Sequence, residues 1–189
     1  MLDETNQPLQ DQSNQLRKYV LVALFAGTTV GLGYMLISIP NVEVVTMMLF
    51  VSGYFLGRVN GLITAVIASA IYFGFNPQGG MYPPLLASQI LGMSLAPIIG
   101  NTVKKMRPGQ PRWKYILYLG ISSIICTVFY DILTNIAYPL STGMGVQGII
   151  GFIVVGIPFS ALHVFSNTLV FVFVIPPVTQ YLDNHPMLT

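Results

Sequence analysis

All eight Lys and Arg residues of this chain fall in three short stretches, and long apolar runs separate those stretches. Arg17 and Lys18 form the first, Arg58 the second, and Lys104, Lys105, Arg107, Arg112 and Lys114 the third. The connections around Asn41, from Asn76 to Pro83 and from Tyr138 to Gln147 hold none. If the apolar runs cross a membrane, every basic residue lies on one side, which is what the positive-inside bias produces. The expected fold is therefore an all-α integral membrane protein with six transmembrane helices and both termini in the cytoplasm. Residues 1–18 and 179–189 are expected as cytoplasmic tails, 19–178 as the membrane domain, and three uncharged-to-acidic connections outside.

Composition supports this frame. Only 7% of the 189 residues are charged and 53% are hydrophobic, with a mean hydropathy of +0.70. A soluble domain carries about 25% charged residues, so this chain lacks the polar surface to face water on all sides. Six spans of about 20 residues use up most of the length and leave no room for a soluble catalytic domain. The net charge of +2 is small and confined to one face. Such a face suits anionic lipid of the cytoplasmic leaflet and not nucleic acid. The single cysteine, Cys126, builds neither a disulfide framework nor a Cys-based metal site. A polar stretch and Arg17-Lys18 precede the first apolar run, which reads as a retained span and not as a cleaved signal.

The first span is expected from Tyr19 to Ser38, stopped by Ile39-Pro40-Asn41. The second runs from Glu43 to Gly57, and Arg58-Val59-Asn60 turns the chain back as the third, to Phe75. Both are short for a bilayer about 30 Å thick at 1.5 Å per residue. Asn76 to Pro84 is rich in helix breakers. The fourth span covers Leu85 to Val103, and the fifth ends near Tyr138 before an outer connection, Pro139 to Gln147. Trp113 beside Lys114 is an interfacial anchor. The last apolar run, Gly148 to Val178, should kink at Pro158 and end at Pro176-Pro177. Asp183 and His185 beyond it read as solvated.

Polar groups inside the spans are the default site candidates, because burying them in lipid costs free energy. Thr127, Asp131, Asn135 and Tyr138 recur every three or four residues and share one helix face. Asp131 lies about 26 Å of helix beyond Lys114, toward the outside. His163 and Asn167 share a face of the sixth span, and His163 lies about 22 Å from Gly148, nearer the midplane. Those depths argue against direct cooperation of Asp131 with His163. Each group also has a plain structural reading as an interhelical hydrogen bonder, and Glu43 reads as a helix-start residue favoured by the macrodipole. Asn76, Gln78, Tyr82 and Gln89 offer neutral polar groups and a ring at the outer connection, the mixture that lines small-molecule pockets. No ligand set for a metal, no phosphate loop and no serine triad is evident, so no cofactor or catalytic residue is expected.

Small residues at helix-packing spacing form three ridges: Ala23, Gly27 and Gly31; Gly53, Gly57 and Gly61; Gly61, Ala65 and Ser69. Such ridges let backbones approach in lipid, within the bundle or against another membrane protein.

With these positions in hand, the chain resembles the substrate-binding S components of energy-coupling factor transporters over Tyr19 to Val178. The resemblance is carried by Ile39-Pro40-Asn41-Val42-Glu43-Val44-Val45-Thr46, by Asn76-Pro77-Gln78-Gly79 leading to Pro83-Pro84 and Gln89, and by Gly156-Ile157-Pro158-Phe159 with His163 and Asn167. The last is similar to a Gly-x-Pro-Phe-x-x-x-His pattern of the branch that includes cobalamin-type S components, which keeps a corrinoid in view. The family's Ala-x-x-x-Ala docking motif on the first helix stands here only as Ala23 with Gly27, a departure that keeps the small-residue packing and loses the second alanine.

The resemblance implies a non-enzymatic subunit in a bacterial or archaeal cell membrane. It would capture a vitamin-like molecule from outside, with Asn76, Gln78, Tyr82 and Gln89 at the entrance. Asp131, Asn135, His163 and Asn167 would lie at depth. Its partners would be a transmembrane coupling subunit and two ABC-type ATPases. A lining with one acid and one histidine fits a neutral or cationic heteroaromatic better than a polyanion. The competing classes are a stand-alone secondary transporter or channel, an intramembrane enzyme using Asp131 and His163, and a purely structural subunit. No internal repeat favours the first.

Overall fold

The structure is a computed structural model and describes residues 7–77 and 82–184. These residues form helices only: α1 (Gln7–Leu36), α2 (Val45–Gly74), α3 (Pro83–Met93), α4 (Leu95–Met106), α5 (Arg112–Ser141), α6 (Val146–Phe173) and α7 (Ile175–Asp183). Five helical stretches are long and apolar enough to cross a membrane, with α3–α4 and α6–α7 each counted as one. Their burial runs opposite to that of a soluble protein. The most apolar stretch, Val146–Asp183, is also the least buried. Leu24, Ile67, Ile121, Val155 and Phe165 point outward from four different helices. An apolar surface of that extent needs lipid or protein against it.

α2 is not one rod. Gly57, at φ 81° and ψ 176°, breaks its helical backbone, a conformation that glycine adopts without steric cost. A Cβ on Gly61 would lie 2.7 Å from the Cα of Gly53, and a Cβ on Gly33 would lie 2.8 Å from both Val45 and Tyr72. The two ends of α2 therefore meet beside α1, and its arms, 45–56 and 58–74, run back along each other. The arms span about 18 and 25 Å at 1.5 Å per residue, so each is shorter than the hydrocarbon core. The reversal expected at Arg58-Val59-Asn60 takes place at Gly57, one residue earlier.

The tight core lies between this hairpin and α4. A Cβ on Gly53 would sit 2.0 Å from the Pro97 carbonyl oxygen, and one on Gly100 2.1 Å from that of Phe50. Ala65, Ala68 and Ser69 on the second arm are fully buried, so two of the three small-residue ridges serve packing within the bundle. The third does not. Ala23, Gly27 and Gly31 are exposed, and a Cβ on either glycine would meet nothing within 4 Å.

Several expected boundaries move. α1 begins at Gln7, so the described part of the stretch expected as a tail is helical. Its Leu, Gln, Arg and Lys residues are good helix formers, and the helix needs no apolar face in water to continue. α5 runs through Pro139 to Ser141, which shortens the connection expected from Pro139 to Gln147 to residues 142–145. Pro176 and Pro177 do not end the helical run; they open α7, where the first turn has no use for their missing N–H. Asp183, expected as solvated, pairs with Arg107 and accepts a hydrogen bond from the Tyr54 hydroxyl. His185 lies outside the described residues.

Candidate functional site

α5 and α6 lie antiparallel and are joined by a ladder of polar and aromatic contacts. From one end to the other, Tyr138 stacks on Phe152 at 5.3 Å, and Asn135 faces Ser160 at 3.5 Å. Asp131 meets His163 at 2.9 Å, Thr127 meets Asn167 at 3.0 Å, and Ser123 meets Thr168 at 3.4 Å. The periodicity of Thr127, Asp131, Asn135 and Tyr138 thus marks the face of α5 that meets α6. Asp131 and His163 are direct partners, which overturns the depth argument against their cooperation. Asp131 lies ten residues before the end of α5, and His163 lies seventeen after the start of α6. Depths counted from each helix's own end mislead, because the two helices are staggered by about seven residues, roughly 10 Å.

The connection between α1 and α2 completes the cluster. Asn41 takes a positive φ of 57°, which asparagine tolerates better than most residues, and its carbonyl accepts a hydrogen bond from Ser166 on α6. This brings Glu43 against α6. One Glu43 carboxylate oxygen accepts from the Thr46 backbone N–H at 2.9 Å; the other accepts from the Asn167 amide at 3.0 Å and lies 3.7 Å from His163 Nε2. Glu43 is therefore both a helix-start residue and a member of the site. Burial pushes its carboxyl pKa up, but the neighbouring His163 and the hydrogen bonds from Thr46 outweigh burial and hold it below the ordinary value.

The Asn167 amide nitrogen lies within reach of Glu43 Oε1, Thr127 Oγ1 and His163 Nε2 at 3.0, 3.0 and 3.2 Å, the last an acceptor only when the imidazole carries its single hydrogen on Nδ1. Asp131 Oδ2 is buried and has no hydrogen-bond partner among the described residues. His163 and Asn167 are themselves buried.

A cavity of about 320 Å³ opens onto this cluster. Glu43, Asp131 and His163 line it with Asn76 and Gln89, and Tyr72, Phe73 and Tyr130 give it aromatic walls. Phe73 stacks on Tyr130 at 6.0 Å and meets Tyr72 edge-on at 4.9 Å. Four of the sequence candidates, Asn76, Gln89, Asp131 and His163, therefore share one cavity, and Asn167 braces it from behind. Asn135 lines a neighbouring cavity with Asp131, Phe152 and Ser160. Tyr82 is exposed, packs edge-on against Tyr138 at 6.2 Å and does not line the main cavity. Gln78 lies outside the described residues. Sequence reasoning passed over Glu43 as a site residue and missed Tyr72, Phe73 and Tyr130. The proximity of Tyr130 to Asp131, and of Tyr72-Phe73 to Asn76, was the available signal.

Among the described residues no group of His, Cys, Asp and Glu has a metal-holding arrangement. His163 Nδ1 faces Asp131, but its Nε2 faces Asn167 and Glu43, so the Asp–His pair has no hydroxyl nucleophile on its second nitrogen.

The opposite end of the bundle is basic. Arg17 and Lys18 of α1, Asn60 of the hairpin and Lys104 of α4 line a groove of about 430 Å³. Arg107 bonds Tyr54 and Asp183 and stacks on Tyr115 with its guanidinium 4.7 Å from the ring centre. Basic residues of the first and third stretches thus meet at one pole, beside the hairpin turn that carries Arg58. No family model, curated protein or solved structure matches this chain.

Proposed function

We propose that this protein is the membrane-embedded substrate-capture subunit of an ATP-driven importer, as the resemblance to energy-coupling factor S components implies. The supporting observation is a polar, aromatic-walled cavity at one pole of a lipid-length helical bundle whose basic residues gather at the other. Counting the α2 arms separately gives six passes, with α3–α4 and α6–α7 as one pass each. An even number puts both termini on the same side, and the positive-inside bias supports the cytoplasm as that side. The cavity then opens toward the outside of a bacterial or archaeal cell membrane. At about 320 Å³ it lies at the low end of small-molecule pockets, about 300–1,000 Å³, which favours a compact substrate over a corrinoid.

The chain's own task on this reading is capture. Asp131, His163 and Glu43 hold polar groups of the substrate, and Tyr72, Phe73 and Tyr130 exclude water around its body. Reorientation and release need energy from partners: a transmembrane coupling subunit and two ABC-type ATPases. The exposed Ala23, Gly27 and Gly31 stripe on α1 is the surface where another membrane helix can approach closely.

Gentle purification from the native membrane, followed by mass spectrometry of subunits, tests this reading. Co-purification of a membrane partner with ABC-type ATPases is the expected result. Substrate accumulation in liposomes by the purified chain alone would instead make it a stand-alone transporter.

A further inference from the structure

We propose that the cavity takes a small, flat organic cation bearing N–H donors, with its positive end on Asp131 and Glu43 and its ring among Tyr72, Phe73 and Tyr130. This rests on the substrate-capture reading and adds the chemical class of the substrate.

Charge is the first argument. Two carboxylates, Glu43 and Asp131, and one imidazole, His163, face the cavity. With His163 protonated on both nitrogens the three groups carry a net charge of −1, and with one proton they carry −2. Among the described residues no Lys or Arg lines the cavity to offset either value. An excess negative charge on largely buried side chains is costly unless a cation or an extra proton balances it. A proton would neutralise one carboxylate and leave the cavity empty; a cationic ligand would balance the charge and fill the space.

Hydrogen bonding gives the same answer independently. Asp131 Oδ2 is buried and has no hydrogen-bond partner among the described residues, and a carboxylate oxygen only accepts. The missing partner is a donor. An N–H-bearing cation supplies one, whereas a carboxylate or phosphate ligand would set further acceptors beside two carboxylates. The walls agree. Tyr72, Phe73 and Tyr130 present ring surfaces, and an organic cation is attracted to ring faces while its flat body packs between them.

Benzamidinium, benzamide and benzoate are near-isosteric flat probes with charges of +1, 0 and −1. Their binding to the purified protein in detergent can be compared by calorimetry and by shifts in thermal unfolding. Benzamidinium should bind at least about ten-fold more tightly than benzamide, the gain of one charge-assisted hydrogen bond, and benzoate should bind most weakly. Asp131→Asn and Glu43→Gln should each shrink that preference, while Lys104→Gln at the basic pole should leave it intact. Poor folding of one carboxylate variant leaves the other to decide.

Equal binding of the three probes, tighter binding of benzoate, absence of binding by all three, or a preference surviving both carboxylate substitutions would overturn the inference. The importer reading fails separately. A cation-selective cavity in a protein that co-purifies with no ATPase would keep the ligand class and remove the importer.

Discussion

At the level of single residues, the site is a coupled unit and should respond as one. Asp131 and His163 touch at 2.9 Å, and Asn167 links His163 to Glu43 and Thr127. Asp131→Ala and His163→Ala should each weaken ligand binding. The double variant should lose less than the sum, with a coupling of about 0.5–3 kcal/mol as expected for contacting residues. Additive losses in a double-mutant cycle on ligand binding would show that the two groups act separately. Loss of folding in both single variants would instead assign the pair to helix packing. Glu43 gives a pH signature. Its folded-state pKa is held below 4.5, so its stabilising contribution is present above that value and is lost as pH falls through the lowered one. Thermal unfolding of the parent protein should therefore lose more stability than Glu43→Gln across that acid window; parallel curves would contradict this. The polar residues of α5 and α6 were legible in sequence because helical periodicity aligns them. Their pairing was not, because it depends on a stagger that neither helix encodes alone. Glu43 joins them only because Asn41 turns the connection against Ser166.

At the level of elements, glycine decides where helices touch. Gly53→Ala would put a methyl 2.0 Å from the Pro97 carbonyl oxygen, a backbone atom that cannot swing aside. Overpacking of this kind costs about 1–3 kcal/mol, and the variant should unfold at a lower temperature in detergent. Gly27→Leu and Gly31→Leu point into open space on α1, so stability should hold while recovery of the membrane partner falls. Unchanged co-purification would remove α1 as the docking surface. The small-residue spacing was visible in sequence for both ridges, but spacing alone could not say which faces inward. The hairpin was legible because Gly57 to Asn60 interrupts two apolar runs with a charge and a turn. The prolines beside α6 were only partly legible. Pro139 is carried inside the last turn of α5, and Pro176-Pro177, before which α6 ends at Phe173, open α7, whose first turn has no use for their missing N–H.

At the level of the molecule, two poles carry the account. Arg17, Lys18 and Lys104 share one groove, and Asn76, Gln89, Asp131 and His163 share a cavity of different chemistry. Charge segregation in the sequence anticipated this division, because basic residues avoid translocation whatever the packing of the helices. The cavity itself needed three dimensions, since its lining comes from the α1–α2 connection, α2, α3, α5 and α6. Capture from outside requires the cavity pole to face outward. Single cysteines at the exposed positions Tyr82 and Arg112, introduced in a Cys126→Ala background, report this directly through a membrane-impermeant thiol reagent. Intact cells should label Tyr82→Cys at once and Arg112→Cys only after permeabilisation. Labelling of Arg112→Cys in intact cells, with Tyr82→Cys protected, would invert the molecule and contradict capture from outside.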